Sequence, residues 1–355
     1  METGDGADMV RAIEWIETER PAIRILDQTR LPADEVYLDL TGVDELVDAI
    51  RRLAVRGAPA LGAAGALGVL LALVQAQNDG WDGDRLSAEV LRVRDARPTA
   101  VNLAWGADRA AAFLDDGIDR VRQEAFAIVA EDEAANRRLS EIGADWLLET
   151  VGVDRPLRIV THCNTGALAT TAWGTAYGII HELHDRGRLE LVYVDETRPL
   201  LQGARLTSWE LTQDGIDHVI EVDGAASSTI LRGLVDAAII GADRITADAD
   251  TANKVGSLAL ALACERAGIP FVVAAPSSTV DLGTATGADI VIEERDAAEV
   301  TGFAGDIAPA GARVFNPAFD VTPHDLISAV VTELGVVEPA TGERMDQLWA
   351  ATAPR

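Results

Sequence analysis

Residues 157–166 read LRIVTHCNTG, and they carry the clearest sign of the fold. The first five, Leu157–Thr161, form a short apolar run that is typical of a buried strand. The polar segment after them predicts a turn, and residues 166–183 predict a helix that leads to the next strand. Because this order of strand, loop and helix recurs to about residue 293, the pattern predicts parallel βαβ units in a doubly wound, Rossmann-like α/β sheet.

The chain before residue 150 is organised differently. Three short strands are predicted at residues 13–16, 23–26 and 36–40, and helical periodicity then continues to about residue 148. The segment Val151–Pro156 contains Gly, Asp and Pro, which favour a boundary. We therefore expect a smaller, mostly helical N-terminal domain with short strands at residues 1–150, and a Rossmann-like domain at residues 151–355.

Composition and charge narrow the class of protein. The 355 residues include 58 Asp and Glu but only 30 Lys and Arg, which gives a net charge of −28. This charge disfavours nucleic acid and anionic membranes as partners, and its even spread suggests an acidic surface adapted to high salt, as in halophilic proteins. The apolar stretch Ala58–Ala76 is expected to be a packed core helix. The acidic start, Met1–Val10, has no apolar signal core, and two cysteines suit a reducing cytoplasm.

Three reactive or charged side chains follow predicted strands. Cys163 comes after the strand at 157–161, and Asp243 comes after the strand at 235–240. Asn253 and Lys254 lie in the predicted loop before a helix that starts at Gly256. Because ligands of open parallel sheets bind at the carboxyl ends of the strands, we expect these groups to share one site. Lys254 is also the only lysine beside 29 arginines, which suggests a place where a compact ammonium is needed.

The chemistry of these groups suggests roles. A thiol at a helix N-terminus would be favoured as thiolate, which suits Cys163 to acid–base or nucleophilic work. Asp243 would be a general acid, or only an ion-pair partner of Arg244. Lys254 and Asn253 suit a phosphate or an oxyanion. The second cysteine, Cys264, lies among alanines in a predicted helix and is expected to belong to the core.

Two segments of the N-terminal half are candidate anion sites. Residues 56–60 read RGAPA and residues 97–102 read RPTAVN, so each places an arginine and a proline at the start of a predicted helix. The alternative for both is helix capping with surface charge. Neither is a Walker loop or a dinucleotide fingerprint, and the five histidines have no metal-site spacing. The residues alone thus predict a soluble α/β enzyme that acts on a small phosphorylated anion, with no metal and no cofactor.

Several segments, taken in order along the chain, resemble the methylthioribose-1-phosphate isomerase family. Its superfamily also includes ribose-1,5-bisphosphate isomerases and regulatory subunits of the translation-initiation exchange factor. The resemblance extends from about residue 13 to residue 330. The segments that carry it are LDQTRLP at 26–32, VRGAPALG at 55–62, RPTAVNL at 97–103, THCN at 161–164, LQGARLT at 201–207, GADR at 241–244, DTANK at 250–254 and NPAFD at 316–320.

The resemblance implies a fold, an oligomeric state and a set of site residues. It implies a small helical N-terminal domain, a Rossmann-like C-terminal domain and a cytoplasmic homodimer. By the same resemblance, Asp243 is the proton donor and Cys163 assists the transition state. The substrate-binding residues it implies are Arg56, Gly57, Ala58, Arg97, Gln202, Asn253 and Lys254.

The implied reaction converts an aldose 1-phosphate, 5-methylthioribose 1-phosphate, into the ketose 1-phosphate of methionine salvage. Hydrogen would move from C2 to C1 either as a proton through an enolate or as a hydride. Two departures from the family pattern, Thr165 after Cys163-Asn164 and DGAASS at residues 223–228, concern the choice of substrate. Ribose 1,5-bisphosphate is the alternative substrate, and a non-catalytic exchange-factor subunit is the alternative from another class.

Overall fold

The computed structural model describes residues 10–98, 100–302, 305 and 307–352. The chain forms two compact units. The first contains the described residues up to Arg137 together with Thr165–Gly174, and the second contains Arg138–Asn164 and the chain from Thr175 onward. The long helix before residue 157 therefore contributes to both units, whereas the domain boundary near residue 150 stays a prediction.

The first unit combines a small sheet with helices. Its three strands form an antiparallel sheet in the order β1-β2-β3, and the apolar faces of the helices pack with it around one core. The expected mostly helical N-terminal region with short strands is thus confirmed. The elements are β1 Ile13–Ile16, β2 Ala22–Leu26, β3 Tyr37–Leu40, α1 Val43–Arg51, α2 Ala58–Asp79, α3 Gly83–Arg94, α4 Val101–Ala111 and α5 Ile118–Val151, whose last part belongs to the second unit.

Helix α2 is the centre of the first unit. It is apolar all round, and most of its side chains from Ala60 to Ala76 are buried. Among the described residues it is the one helix long and apolar enough to cross a membrane by length and composition, yet 78% of its most apolar window is buried in the protein. The prediction of a packed core helix is therefore confirmed. Glycines allow α4 to approach α2 closely, because a Cβ on Gly106 would lie 1.9 Å from the Gly62 carbonyl oxygen.

The second unit is built on a seven-stranded sheet. Its strand order is β14-β13-β10-β7-β4-β5-β6, and all neighbouring pairs are parallel except the antiparallel edge pair β13–β14. Strands β4, β7 and β10 are buried along almost their whole length, as strands covered on both faces must be. The sheet strands are β4 Leu157–Thr161, β5 Leu189–Asp195, β6 His218–Glu221, β7 Ala237–Ile240, β10 Phe271–Ala274, β13 Ala329–Thr332 and β14 Gly335–Val337.

A second, four-stranded sheet and the remaining helices complete this unit. The small sheet has the order β11-β8-β9-β12 and extends from the loops that follow β7. Its strands are β8 Arg244–Thr246, β9 Thr251–Lys254, β11 Val280–Asp281 and β12 Phe319–Thr322. The helices are α6 Ala176–Asp185, α7 Ser208–Gln213, α8 Ala226–Leu231, α9 Ser257–Ala267, α10 Ala298–Thr301 and α11 Gly342–Thr352.

The predicted fold class, a Rossmann-like doubly wound sheet preceded by a helical region, is confirmed, but three local predictions are wrong. The helix expected over 166–183 begins only at Ala176, because Trp173 and Gly174 have left-handed backbone with φ of 75° and 95°. Residues 251–254 are a strand and not a loop, and residues 289–293 form no strand. The small sheet was missed, because strands of two to four residues have too little periodicity to detect.

Candidate active site

The strand order creates a switch point at the centre of the large sheet. From β4 the chain proceeds to β5 and β6 on one side, whereas β7, β10 and β13 lie on the other side. Strands β4 and β7 are hydrogen-bonded neighbours, with Thr161 opposite Ile239. Cys163 and Asp243 come two and three residues after these strand ends. The two predicted catalytic residues therefore follow adjacent strands at the position where ligands of such sheets bind.

The turn that carries Cys163 is held by two threonines. Cys163 is buried and has left-handed backbone, with φ of 65°. Its N–H donates to Thr197 Oγ1 at 2.9 Å, and its carbonyl accepts from Thr207 Oγ1 at 2.6 Å. The expectation of an α-helix N-terminus directly after Cys163 is wrong, because a three-residue 3-10 turn, Ala167–Ala169, follows instead.

Asp243 is joined directly to the strand that carries Asn253 and Lys254. The half-buried Asp243 donates its N–H to the Ala252 carbonyl at 2.9 Å, and the antiparallel pair β8–β9 continues from there. Arg244, which sequence reasoning offered as a possible partner for Asp243, forms an ion pair with Asp281 at 3.5 Å. Because main-chain bonds hold both segments, the carboxyl group and the two predicted binding residues share one rigid element.

Lys254 is a buried cation with a specific environment. Its side chain is only 7% exposed, and Nζ donates to the Ala318 carbonyl at 2.5 Å. Nζ also lies 4.6 Å from the centroid of the Phe319 ring, a cation–π contact. The NPAFD segment at 316–320 therefore encloses the ammonium, because β12 pairs with β9 and places Phe319 opposite Lys254.

Gln202 enters the same edge of the sheet after β5. Its side chain is 6% exposed, and Oε1 accepts no hydrogen bond from any part of the chain that the structure describes. Gly203 allows this approach, since a Cβ there would lie 1.8 Å from the Asp195 carbonyl oxygen. A buried acceptor of this kind suits a ligand with hydroxyl groups, because burial without a hydrogen bond costs free energy.

The other four predicted binding residues belong to the first unit. Arg56, Gly57 and Ala58 form the start of α2, and Arg97 lies before α4; Thr99 of the same motif is outside the described residues. Gly57 has φ of 103°, and a Cβ there would lie 2.2 Å from the Ala169 carbonyl oxygen. Glycine is therefore required at this helix N-terminus, whose N–H groups suit an anion.

Sequence reasoning missed a buried cluster beside Cys163. His162 Nδ1 lies 2.8 Å from Asp195 Oδ2, and Asp223 accepts the main-chain N–H groups of Thr197 and Arg198. Burial alone would lower the pKa of His162, but the hydrogen bond and charge of Asp195 outweigh it and raise that pKa. Burial also raises the pKa of Asp195. The sequence did contain a signal for this cluster, because Asp195 ends β5 and Asp223 closely follows β6, which places both carboxyl groups at the same edge of the sheet.

Two clusters in the described chain have the composition of metal ligands. In His162, Asp195 and Asp223 the ligand atoms lie within 4.8 Å of one another, and the same holds for Asp248, Asp250 and His324. Most donor atoms of both clusters take part in hydrogen bonds: Asp250 Oδ1, for example, accepts from the main-chain N–H of His324, whereas the buried Asp195 Oδ1 accepts none from the part of the chain that the structure describes. Both clusters therefore link neighbouring main-chain segments through hydrogen bonds.

The fold and this edge of the sheet define a class of protein. It is a doubly wound α/β protein with a thiol, a carboxyl group and a buried ammonium near its switch point. These groups are typical of an enzyme that acts on small anionic substrates. The model of the Initiation factor 2 subunit family matches residues 54–339, and the chain belongs to this family.

Relatives within the family agree with the resemblance seen in the sequence. The chain is 52% identical to a probable bifunctional methylthioribose-1-phosphate isomerase/methylthioribulose-1-phosphate dehydratase of Nocardia farcinica, over 94% of this chain and 60% of that protein. It is 47% identical to a methylthioribose-1-phosphate isomerase of Thioalkalivibrio sulfidiphilus, over 96% and 97% of the two chains. The chain therefore spans less than two thirds of the first relative and nearly all of the second.

Solved structures of the family have the same fold. The 5-methylthioribose 1-phosphate isomerase of Pyrococcus horikoshii OT3 matches with a TM-score of 0.86 and 37% identity, over 97% of both chains. A structure described as translation initiation factor eIF-2B, subunit delta, of A. fulgidus matches with a TM-score of 0.83 and 38% identity, over 96% and 99%. Because the two differ in their described roles, the site and not the fold must indicate the function.

Proposed function

We propose that this protein is a sugar-phosphate aldose–ketose isomerase that converts 5-methylthioribose 1-phosphate into 5-methylthioribulose 1-phosphate in methionine salvage. The observation that carries the proposal is the position of Cys163 and Asp243 after adjacent strands at the switch point. The names of the relatives at 47% and 52% identity support the substrate. A subunit that only binds partners has no use for a thiol and a carboxyl group placed together with a buried ammonium.

The chemistry must begin with ring opening. The phosphate blocks the anomeric oxygen, so the C1–O bond of the ring breaks only if the ring oxygen receives a proton. We assign this proton transfer to Asp243. Its main-chain bond to Ala252 holds it on the same strand pair as Asn253 and Lys254. A positioned proton donor of this kind contributes about 10²–10⁴-fold to the rate.

The hydrogen transfer that follows has two balanced routes, and Cys163 takes part in both. In one, the thiolate removes the C2 proton and an enol phosphate forms; the proton then returns from the thiol to C1, and the C2 hydroxyl becomes a carbonyl as its proton passes to the Asp243 carboxylate. In the other, hydride moves from C2 to C1 as the C2 hydroxyl proton passes to the Asp243 carboxylate, and the thiol stabilises the changing charge. Each route ends in the ketose 1-phosphate without an external oxidant or reductant.

Substrate binding is assigned to the charged and glycine-containing segments. Lys254 and Asn253 would bind the phosphate, while the buried Gln202 Oε1 would accept a hydrogen bond from a sugar hydroxyl. Arg56, Gly57, Ala58 and Arg97, which belong to the first unit, are proposed as substrate-binding residues from the family resemblance alone. This set needs no metal or cofactor, since every proton and hydride originates in the substrate or the side chains.

A side-by-side assay tests the proposal. Purified protein is incubated with 5-methylthioribose 1-phosphate and with ribose 1,5-bisphosphate, at low salt and in molar KCl, and the ketose products are separated by chromatography. We expect turnover of the methylthio substrate with a kcat/KM at least about tenfold higher. A preference for ribose 1,5-bisphosphate would indicate that the protein is a ribose-1,5-bisphosphate isomerase. Absence of turnover with both substrates would favour a non-catalytic subunit.

We further propose that the protein acts as a cytoplasmic homodimer that binds neither nucleic acid nor membranes. The net charge of −28 opposes both of those partners, and both cysteines are free thiols. Light scattering after size-exclusion chromatography in molar KCl should give a mass near 75 kDa, about twice the 37.6 kDa chain. A mass near that of one chain would contradict the dimer.

A further inference from the structure

We propose that His162 is a positioning residue for the isomerisation, and that its ring ties the Cys163 turn to the strand that carries Asn253 and Lys254. The inference rests on the proposed function, since it concerns the rate of that reaction. It assigns a role to a buried side chain that touches neither the substrate nor the reacting atoms in the mechanism above.

The ring bridges two segments of the site. His162 is 1% exposed and directly precedes Cys163. Its Nδ1 lies 2.8 Å from Asp195 Oδ2, and its Nε2 lies 2.9 Å from the carbonyl oxygen of Val255, which directly follows Lys254. A carbonyl oxygen only accepts, so Nε2 must donate to it. The imidazole therefore joins the end of β4, the end of β5 and the end of β9.

The backbone around the ring leaves room for it. Gly256 has φ of 114°, and a Cβ at that position would lie 2.7 Å from His162 Cε1. Asp195 is anchored as well, because its main-chain oxygen accepts from Thr197 Oγ1, the same oxygen that accepts the Cys163 N–H. His162, Asp195 and Thr197 thus form a continuous hydrogen-bonded support beneath the thiol.

Strand β9 and the Cys163 turn depend on the His162 ring to different degrees for their position. Strand β9 is paired on both sides, with β8 and with β12, so Lys254 keeps its place without His162. The Cys163 turn lies outside the strands and has a left-handed residue at its centre, so apart from the ring it depends on the side chains of Thr197 and Thr207. Loss of the bridge should therefore displace Cys163 relative to Asp243 and Lys254, and a displacement of about 1 Å costs about 10²-fold in rate. We expect this loss of rate to appear as a lower kcat, with little change in KM.

Three variants separate this role from a general structural one. His162→Asn keeps an amide that can donate to Asp195 but is too short to reach Val255. Asp195→Asn keeps both ring contacts, because its amide can donate to Nδ1 while Nε2–H still donates to Val255. His218→Asn is the matched control, since both ring nitrogens of His218 are also hydrogen-bonded, to Ser208 and Ile216, away from Cys163.

We expect kcat of His162→Asn to fall about 10- to 100-fold with a small change in KM, and both other variants to stay close to wild type. Equal kcat in His162→Asn and His218→Asn would overturn the inference while leaving the proposed function intact. A folded Asp195→Asn protein whose kcat falls about tenfold or more would also overturn it, and this outcome needs no measurement on His162→Asn. An inactive wild type would remove the proposed function and the inference together.

Discussion

At the scale of single residues, the two cysteines show how context separates a proposed catalytic group from a core side chain. Cys264 lies in the middle of α9, and burial raises the pKa of its thiol to about 12. Cys163 is also buried, but it lies in a turn at the end of β4, with its main chain held by Thr197 and Thr207. Both cysteines were interpreted correctly from sequence as to position, although the helix expected after Cys163 is absent.

Removal of either proposed catalytic group should abolish most of the turnover. We expect Cys163→Ser and Asp243→Asn each to lower kcat at least about 10²-fold, because each removes a positioned proton-transfer group. Circular dichroism should show that both variants keep the fold. Cys264→Ala is the matched control; it should keep kcat and lose only about 1 kcal/mol of stability. Near-normal turnover by Cys163→Ser or Asp243→Asn would contradict the assignment.

The single lysine should not be replaceable by arginine, the cation that the chain uses everywhere else. The Lys254 ammonium fits between the Ala318 carbonyl and the Phe319 ring, and a planar guanidinium is larger and differently shaped. We expect Lys254→Arg to raise KM for the sugar phosphate at least about tenfold, measured by initial rates. The reverse exchange at an exposed site, Arg94→Lys, should leave KM unchanged. An unchanged KM in Lys254→Arg would show that only the charge matters.

At the scale of elements, helix packing in the first unit depends on glycine. Helices α2 and α4 meet where Gly62 and Gly65 lie against Gly106 and Leu103, and a Cβ on Gly65 would lie 2.3 Å from the Leu103 carbonyl oxygen. The glycine and alanine content of residues 58–76 predicted a buried helix, but the partner helix could not be named. Close approach is a property of two segments, so a periodicity within one of them does not reveal it.

This packing makes Gly106→Ala a clear test. Alanine is the better helix former by about 1 kcal/mol, so intrinsic propensity alone would stabilise the variant. Because the new methyl group would overlap the Gly62 carbonyl, we expect instead a loss of about 1–3 kcal/mol in the free energy of unfolding. Gly83→Ala in α3 is the control, since among the described residues no atom beyond its chain neighbours and its own helix backbone lies within 4 Å of the added Cβ. If urea titration gave both variants equal stability, the close approach of α2 and α4 would be disproved.

At the scale of the whole molecule, the dominant feature is the excess of acid. Many arginines pair with carboxylates on the surface, as Arg94 does with Asp108 at 2.7 Å, but such exposed pairs contribute little to stability. With a net charge of −28, the unpaired carboxylates repel one another. This repulsion opposes the compact state, and dissolved ions reduce it.

Stability should therefore rise with salt. The screening length falls from about 10 Å at 0.1 M to about 3 Å at 1 M, so we expect Tm in KCl to rise steeply below about 1 M and then more slowly. Sucrose of equal osmolality is the control, because it is excluded from protein surfaces but screens no charge. A Tm that is independent of KCl, or that rises equally in sucrose, would contradict an electrostatic origin and with it the halophilic surface.

Local patterns in the chain were enough to predict the βαβ order, the buried helix α2 and the positions of Cys163 and Asp243 just after two strands. Each of these depends on residues that are neighbours in sequence, through periodicity, turn residues or a short motif. The adjacency of β4 and β7, the enclosure of Lys254 by the 316–320 segment and the bridge through His162 appeared only in three dimensions. These features join residues 64 to 93 positions apart. The order in which strands pair is set by the packing of the complete unit, which no local pattern records.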